Sequence, residues 1–446
     1  MRLTLPQESE AFRAGGLRIE SVVQVIELDA GADTLQEESD NLSLFSSSFS
    51  SCSSSLTTTN SRTMAVGYST LDTYHAQTTI IIPCKNENLE VLEIVLSGIP
   101  RLCMIVLVSN STRSPDTDRY AAELSVLHRF CALAGNRSAM AIHQKDAGAA
   151  AAFRAAGMPE LVSGSDGRIA NGKGEGMLLG IALTAVLCPD RRYVGFVDAD
   201  NTGAGSVNEY CRAYAAGFAT YPHEKNMMVR VNWGSKPKVV KDRLDFKCEG
   251  RSSRIINRWL NDVLGRVDET VDGGLMVTGN SGEHAMTMDM AMRLRLAGGY
   301  AVEPFHFVDL LERNMTNGGQ YRGGGGGGGG GVGAFGLARV LQVRTRNPHI
   351  HRSTDDTHIR DMYMAGLGTI YHHLPTGPLP TSVNGNRNGN WGHDLRKEIL
   401  NFIASETDHE QGQKIVPPKP RIYTPLERLD LVKLRAVLDE FEDTLY

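Results

Sequence analysis

The chain has 446 residues, 41% of them hydrophobic and 22% charged, and a formal net charge of −5 at pH 7. This composition is that of an ordinary globular protein with one large or two medium domains. The slight negative charge gives no electrostatic reason to expect binding to nucleic acid or to an anionic membrane surface. No apolar run is long enough to span a membrane, and none of the seven cysteines forms a C-x-x-C pair. We therefore expect a cytoplasmic protein with reduced thiols and no zinc site.

Five regions differ in composition along the chain. Apolar and polar residues alternate within residues 1–35, which are expected to join the main domain as a strand or short helix. Residues 36–63 are rich in Ser and Thr and have few groups able to build a core, which predicts a disordered insertion. The main domain is predicted at 64–375, with a flexible polyglycine loop at 323–331. Residues 376–446 are predicted to be a C-terminal extension whose last helix packs on the domain or on a second subunit of a homodimer.

Strand-like and helix-like segments alternate from residue 78 onward. Short apolar runs indicate strands, and longer segments with apolar residues at helical spacing indicate helices. Strands are predicted at 78–83, 104–109, 139–143, 193–197 and 226–233. Helices are predicted at 89–98, 121–134, 176–187, 207–220, 254–264 and 285–297. This alternation predicts an α/β fold with a mostly parallel central sheet and flanking helices, in which ligands bind at the carboxyl ends of the strands.

The most informative segment is 193–201, where an apolar run ends in Asp198-Ala-Asp200-Asn201. Alternate side chains of an extended chain point to the same side, so the two carboxylates are expected to converge. Two carboxylates in an apolar place are costly unless a positive charge lies between them. A hard divalent cation that carries a phosphorylated ligand meets this need. Asp-x-Asp is typical of nucleotide-sugar glycosyltransferases, but the bare triplet also occurs in turns and helix caps.

Two polar segments follow the first two predicted strands. Residues 83–88, Pro-Cys-Lys-Asn-Glu-Asn, come after the first strand, and residues 109–111, Ser-Asn-Ser, end the second. Such groups are placed to meet a nucleotide base or ribose. The same residues also suit a strand-to-helix turn with a capping side chain and an Asx or Ser/Thr turn. Position alone leaves both interpretations open.

Two further segments place cations at the start of predicted helices. Residues 172–177, Gly-Lys-Gly-Glu-Gly-Met, would bring Lys173 to a diphosphate at a helix N-terminus, although the segment also suits a flexible surface loop. Residues 250–254, Gly-Arg-Ser-Ser-Arg, suit an anionic acceptor, or an ordinary N-cap with solvated arginines. The segment at 172–177 does not match the spacing of a Walker A phosphate loop.

A carboxylate and two histidines complete the set of candidates. Glu283, in the small-residue segment 279–286, could face the reacting group, or simply favour the dipole of a following helix. His349 or His351, in the segment 344–351, could complete a metal site with an aspartate, because neutral imidazole is a common ligand. A lone histidine is more often structural than a ligand.

Taken in order, these segments resemble the mannosyl-3-phosphoglycerate synthase family of retaining glycosyltransferases with the GT-A (Rossmann-like) fold. The resemblance extends from the opening MRLTLP to about His351. The motifs that carry it are IIPCKNE, VLSGIP, HQKD, GKGEGM, YVGFVDADN, EYCRAYAAGF, GRSSRIINRWLN, SGEHAM, GYAVEPFH and RTRNPHIH. The Ser-rich stretch and the polyglycine run look like additions to the family pattern.

The resemblance implies GDP-mannose as donor, 3-phosphoglycerate as acceptor and Mg2+ or Mn2+ as the metal. It implies a guanosine pocket lined by Pro83, Lys85, Asn86 and Glu87, with Ser109 and Asn110 beside it. Lys173 would approach the phosphates or sugar of the donor.

The resemblance also implies the residues around the reacting centre. Asp198 and Asp200 match the Asp-x-Asp signature, and Asp200 would ligate the metal with His349, which matches the family's histidine better than His351. The residues that would hold the acceptor and reach the anomeric carbon are Arg251, Ser253 and Glu283.

Three other functions compete with this one. A glucosyl-3-phosphoglycerate synthase would use a glucose nucleotide, because sugar choice can depend on one hydroxyl contact. A nucleotide-sugar-binding protein without turnover is compatible with the two additions, although Asp198, Asp200, Glu283 and His349 are all present. A dinucleotide-binding dehydrogenase is disfavoured because no G-x-G-x-x-G follows the first strand.

Overall fold

The computed structural model describes residues 1–6, 10–29, 62–135, 137–162, 166–240, 243–247, 249–271, 273–315, 337–351, 355–374, 391–406 and 415–440. The polyglycine run at 323–331 and residues 36–61 of the predicted insertion lie outside the described residues. Arg62 and Thr63, which were predicted to belong to that insertion, are instead the first residues of a strand.

Fifteen strands occur in the described part of the chain. They are β1 (Arg2–Leu5), β2 (Phe12–Ala14), β3 (Leu17–Glu27), β4 (Arg62–Ala65), β5 (Thr78–Cys84), β6 (Met104–Ser109), β7 (Ala139–His143), β8 (Tyr193–Phe196), β9 (Met227–Asn232), β10 (Lys236–Val240), β11 (Arg243–Lys247), β12 (His284–Thr287), β13 (Leu296–Ala297), β14 (Ala338–Arg344) and β15 (Ile422–Tyr423).

Twelve α-helices accompany these strands in the same described residues. They are α1 (Tyr68–His75), α2 (Leu89–Gly98), α3 (Arg119–Leu133), α4 (Ala147–Ala155), α5 (Lys173–Leu187), α6 (Ala204–Thr220), α7 (Arg251–Val267), α8 (Met288–Arg293), α9 (Val302–Met315), α10 (Asp356–His373), α11 (Trp391–Glu406) and α12 (Leu431–Asp439). None of the described helices is both long and apolar enough to cross a membrane.

The central sheet has the strand order β4-β1-β3-β14-β9-β12-β8-β5-β6-β7, with β2 paired to β3. Strands β3, β14, β9, β8, β5, β6 and β7 run in one direction, and so does β4 at the edge. Only β1, β2 and β12 run the other way. The sheet is therefore mostly parallel, which confirms the predicted fold class.

Two apolar cores cover the two faces of this sheet. Ile81 of β5 faces one core with α4, α5, α7 and α9, while Ile80 and Ile82 face the other with α2, α3 and α6. Alternate residues of a strand point to opposite faces, so a strand buried on both sides reads as a continuous apolar run. The helices thereby leave the carboxyl ends of β5, β6 and β8 at one open edge of the sheet.

Most segments predicted from local patterns are present, with shifts at their ends. Helix α5 begins three residues before the predicted start at residue 176, so Lys173 lies in its first turn. The predicted helix at 285–297 is wrong in its first part, because His284–Thr287 pairs with both β8 and β9 as the antiparallel strand β12. Only Met288–Arg293 of that segment is helical. Cross-strand pairing from two neighbours overrides the helical spacing of the apolar residues.

The C-terminal segment packs on the main body of the chain. The predicted terminal helix is α12, which lies against α4 and α5. Ahead of it, β15 pairs with β13, so a short strand from the C-terminal extension joins residues that directly precede the loop at 298–300.

Helix α5 lies so close to the sheet that we expect Gly180 to tolerate no side chain. A Cβ atom there would lie 2.6 Å from Cγ2 of the buried Ile81. Gly180→Ala should therefore lower the free energy of unfolding by about 1–3 kcal/mol, as overpacking does. At Gly265 of α7 a Cβ would meet no atom within 4 Å, so Gly265→Ala is the matched control and should stabilise by up to about 1 kcal/mol. Equal thermal unfolding of wild type and Gly180→Ala would contradict this close packing.

Candidate active site

A cleft of about 720 Å³ lies at the carboxyl ends of β5, β6 and β8. Parallel strands end at one edge of the sheet, so the residues that follow them are brought together there. The antiparallel strand β12 begins at this edge, which adds the preceding Gly282 to the cleft. Most of the predicted site residues line the cleft: Pro83, Lys85, Glu87, Asn110, Lys173, Asp198, Asp200, Arg251, Ser253 and His349.

An ammonium group between two carboxylates lies at the centre of the cleft. Lys173 Nζ is 2.6 Å from Asp198 Oδ1 and 2.7 Å from Glu303 Oε1. Burial by itself would lower the pKa of Lys173, but the two carboxylates raise that pKa well above its usual range. Lys173 is therefore a permanent cation, held where a strand end and two helix starts meet.

Gly282 makes this arrangement possible. A Cβ atom at position 282 would overlap Asp198 Oδ2 and lie 2.8 Å from Lys173 Nζ. A glycine is needed because the backbone of this loop passes directly against the ion pair.

Asp198 and Asp200 are both half-buried, and Ala199 between them is buried. Asp200 Oδ2 lies 3.8 Å from His351 Nδ1. The two carboxylates thus face the same cleft, as the alternation predicts, but they have different neighbours: Asp198 contacts a lysine and Asp200 a histidine.

His349 is a buried neutral imidazole. Its ring stacks on Trp233 with centroids 4.3 Å apart, and its Nδ1 lies 3.1 Å from the Tyr210 hydroxyl. Burial first, and then the cations Lys236 and Lys173, lower its pKa well below the usual range. A neutral histidine with one ring nitrogen engaged is the form that binds metals.

Glu283 lies behind the cleft and does not line it. Its side chain is fully buried, and its Oε2 accepts a hydrogen bond of 3.1 Å from Trp233 Nε1. Among the described residues its Oε1 has no hydrogen-bond partner, and it is 3.9 Å from His349 Nδ1. Burial, followed by the nearby charge of Asp198, raises the pKa of Glu283 to about 8.

The structure does not bring Asn86 and Ser109 into the cleft lining. Asn86 has a φ of 56°, and its Oδ1 accepts a hydrogen bond of 2.8 Å from the backbone N–H of Thr112. Ser109 is buried and donates to Glu123 Oε2 at 2.6 Å. Both side chains thus tie the loops that carry the lining residues Lys85 and Asn110 to other segments of the chain. The helix cap that the sequence left open is made by Asn88, which accepts from the N–H of Glu90.

Arg251 and Ser253 lie in the first turn of α7, at another side of the cleft. The N-cap Gly250 has no side chain to cap the first N–H groups of the helix. Arg251 is 44% exposed and lies 2.6 Å from Glu406 Oε2. A helix start with an arginine and hydroxyl groups is suited to an anion.

Several cleft residues carried no signal that single-motif reasoning could use. Glu303 follows Ala301 and Val302 in an apolar helix start, and Lys236 opens the β10–β11 hairpin. Lys236 Nζ lies 4.3 Å from the centroid of the Trp233 ring. For Glu303 the local sequence offers one weak indication: it is the single acidic residue in GYAVEPFH, and a carboxylate at a buried helix start needs a partner.

The ligand types present fit a divalent cation, although no complete metal site is formed. Among the described residues, no three His, Cys, Asp or Glu side chains are grouped so as to hold a metal ion. Asp200 contributes carboxylate oxygens and His349 a neutral imidazole. Magnesium is commonly held by one or two protein ligands together with substrate phosphates, so an incomplete protein set is expected at such a site.

Comparison with known proteins identifies the family. A family model described as mannosyl-3-phosphoglycerate synthase (osmo_MPGsynth) matches residues 5–438. The chain belongs to the mannosyl-3-phosphoglycerate synthase family. The mannosyl-3-phosphoglycerate synthase of Pyrococcus furiosus is 37% identical over 82% of this chain and 85% of its own length. That of Aeropyrum pernix is 32% identical over 100% of this chain and 99% of its own length.

Among solved structures, glucosyl-3-phosphoglycerate synthase from Mycobacterium tuberculosis in complex with Mn2+ and UDP-Glc is similar to the chain. It is 17% identical, covers 70% of this chain and 86% of its own, and has a TM-score of 0.44. The fold described above rests on this chain's own strand pairing.

The buried carboxyl of Glu283 predicts a pH-dependent stability. Between the ordinary pKa of about 4.5 and the folded value of about 8, only the unfolded state releases the proton, so stability falls as pH rises through this window. Glu283→Gln removes this loss and keeps an acceptor for Trp233. In EDTA-treated protein the melting temperature of Glu283→Gln should equal that of wild type near pH 4.5 and exceed it increasingly up to pH 8. The difference in the free energy of unfolding should grow by about 1.4 kcal/mol for each pH unit in this window. The control is Glu90→Gln at an exposed position. A difference that does not vary with pH would contradict the buried, protonated state.

Proposed function

We propose that this chain transfers mannose from GDP-mannose to 3-phosphoglycerate with retention at the anomeric carbon, giving mannosyl-3-phosphoglycerate and GDP. One observation carries the proposal: in a chain of this family, the Asp-x-Asp carboxylates, Lys173 and the start of α7 face one cleft. The relatives are named for the product mannosyl-3-phosphoglycerate, and the cleft offers Lys173 to a diphosphate and Arg251 to an anionic acceptor.

The donor is proposed to lie along the strand ends of β5 and β6. Pro83, Lys85, Glu87 and Asn110 line this part of the cleft and would contact the guanosine. Lys173, at the start of α5, would meet the diphosphate, because a helix N-terminus and an ammonium group both favour negative charge.

Asp200 and His349 are proposed to hold a divalent cation, Mg2+ or Mn2+, together with the donor diphosphate. Such an ion would neutralise the diphosphate and stabilise the charge that develops on departing GDP. Tyr210 and Trp233 orient the His349 ring, and Lys173 holds the Asp198 carboxylate.

The acceptor is proposed to bind at the start of α7. Arg251, Ser253 and the N–H groups of the first helical turn would hold its phosphate or carboxylate. A clamp of this kind positions the acceptor hydroxyl near the anomeric carbon and turns an encounter of two molecules into a step within one complex.

Glu283 is proposed to stabilise positive charge at the anomeric carbon or to attack it as a nucleophile. To do either, its carboxyl must be ionised and reach the cleft past Gly282 and Trp233, which cover it here. Charge stabilisation would accompany a same-face displacement, and nucleophilic attack would give a short-lived covalent intermediate. Glu283→Gln with full turnover and unchanged donor binding would exclude both roles.

A product assay on purified protein tests the proposal directly. GDP-mannose, 3-phosphoglycerate and Mg2+ should give a mannosylated phosphoglycerate, and EDTA should abolish it. Asp200→Asn and His349→Gln should lose most of the activity and bind Mn2+ more weakly, by about tenfold or more for loss of a ligand. UDP-glucose and GDP-glucose are assayed in parallel. Product from a glucose donor alone would replace the proposed donor, and GDP binding without any product would favour a binding protein.

A matched pair of arginine variants tests the acceptor site. Arg251→Met should raise KM for 3-phosphoglycerate by about tenfold or more, the effect of losing one charge-assisted hydrogen bond, with KM for the donor unchanged. Arg254→Met is the control, because Arg254 is exposed on the same helix and does not line the cleft. Equal effects of the two variants would place the acceptor elsewhere. A cytoplasmic location and a homodimer stay predictions beside this function.

A further inference from the structure

A fully buried carboxylate, Glu175, joins three segments of the chain beside the cleft. It lies in the first turn of α5, two residues after Lys173. Its Oε1 accepts a hydrogen bond from the Tyr423 hydroxyl at 2.8 Å and forms a salt bridge with Arg421 Nη2 at 2.5 Å. Its Oε2 accepts from the backbone N–H of Gly299 at 2.9 Å. One side chain therefore connects α5, the loop at 298–300 and strand β15.

Arg421 extends this connection to both neighbouring loops. Its Nη2 also donates to the carbonyl of Asn171 at 2.8 Å, and its own carbonyl accepts from the N–H of Gly298 at 2.8 Å. We call residues 421–423 the C-terminal strap. The strap pairs with Leu296 and Ala297 of β13 and so fixes the approach to the loop at 298–300.

The strap and the two loops pack closely around the Glu175 carboxylate. A Cβ atom at Gly172 would overlap Glu175 Oε2 and lie 2.7 Å from the N atom of Gly299. A Cβ at Gly298 would overlap Glu175 Oε1 and lie 3.1 Å from Arg421 Nε. Both glycines allow the backbone to close around the carboxylate, and Gly172 has a φ of +153° that other residues rarely adopt.

The two loops held in this way are walls of the cleft. Asn171, Gly172 and Lys173 line it from one side, and Gly299 and Tyr300 from another. Their backbone positions determine where the Lys173 ammonium group lies. The strap itself is not among the residues that line the cleft.

We propose that Arg421 and Tyr423 are positioning residues for the donor side of the site: through Glu175 they hold residues 171–173 and the loop at 298–300 in the geometry that binds the donor diphosphate. This inference rests on the function proposed above. The C-terminal extension thereby helps to set the geometry of the active site in addition to packing on the domain.

The physical reason is the cost of a buried charge. A carboxylate removed from water requires several hydrogen-bond donors, and loss of one donor leaves the charge undercompensated. Burial, and then Glu175, raise the pKa of Tyr423, so its hydroxyl is a reliable donor. Without the strap, the Glu175 carboxylate would retain the Gly299 N–H, and the two loops would have to open to hydrate it.

Three variants of the full-length chain test the proposal. Tyr423→Phe and Arg421→Met each remove donors to Glu175 while keeping most of the side-chain volume. Thr424→Val is the matched control, because Thr424 adjoins the strap but donates to the exposed Glu160 at 3.0 Å. Steady-state kinetics with both substrates and amide hydrogen exchange are measured for each protein.

The expected result is selective for the donor. Tyr423→Phe and Arg421→Met should raise KM for the nucleotide sugar by about tenfold, as for the loss of a hydrogen bond to a charged group, with KM for the acceptor unchanged. Exchange at 171–176 and 298–301 should become faster, while exchange in α7 and the Thr424→Val control should match wild type. A merely structural role would instead lower the amount of active protein and leave both KM values as they are.

Two results would overturn the proposal. One is unchanged exchange at 171–176 and 298–301 in both strap variants. The other is faster exchange there with donor KM equal to that of wild type. Hydrogen exchange can be measured without turnover. A wild-type protein that does not transfer mannose would therefore refute the proposed function, while the exchange data would still test the role of the strap.

Discussion

The ion pair between Lys173 and the carboxylates of Asp198 and Glu303 is the constraint on which the rest of the site depends. It joins the end of β8 to the first turns of α5 and α9. β8 directly follows α5 in the chain, whereas α9 begins more than a hundred residues later. Charges in a partly buried place are stable only when they are compensated at close range. The need to place this lysine between its two carboxylates explains why residue 282 is a glycine. It also explains why α5 starts in a glycine-rich segment at the cleft.

A second cation, Arg230, supports the loop that passes against the pair. It is fully buried and donates to the carbonyl of Thr278 at 3.0 and 2.8 Å and to that of Ser281 at 3.2 Å. Its guanidinium lies over the Phe307 ring at 4.7 Å. Burial lowers the pKa of Arg230 to about 10, so it still carries its charge at neutral pH. Buried cations thus hold the polar loops at the strand ends, where apolar packing alone would leave backbone carbonyls unsatisfied.

The elements that local patterns predicted well are the strands buried on both faces. β5, β6 and β7 are continuous apolar runs bounded by polar residues, and tertiary contacts reinforce what the local sequence already favours. β12 shows the opposite case. Its four residues lie between two strands that start more than fifty residues earlier in the chain, and only those partners make the segment extended. The strap in β15 was likewise not predicted, because its partner β13 lies more than a hundred residues earlier in the chain. The hairpin of β10 and β11 was also missed, although its two strands are neighbours in the chain.

For the site, the sequence by itself determined which groups stand at strand ends and helix starts. Asp198, Asp200, Lys173 and Arg251 were found because a strand or helix terminus has a fixed direction and fixed unsatisfied groups. Only the tertiary structure decided which of them meet. It paired Lys173 with Glu303, placed Glu283 behind the cleft, and turned Ser109 away toward Glu123. Partner choice depends on distances between segments that no local pattern encodes, since a carboxylate's environment is created by the folding of the rest of the chain around it.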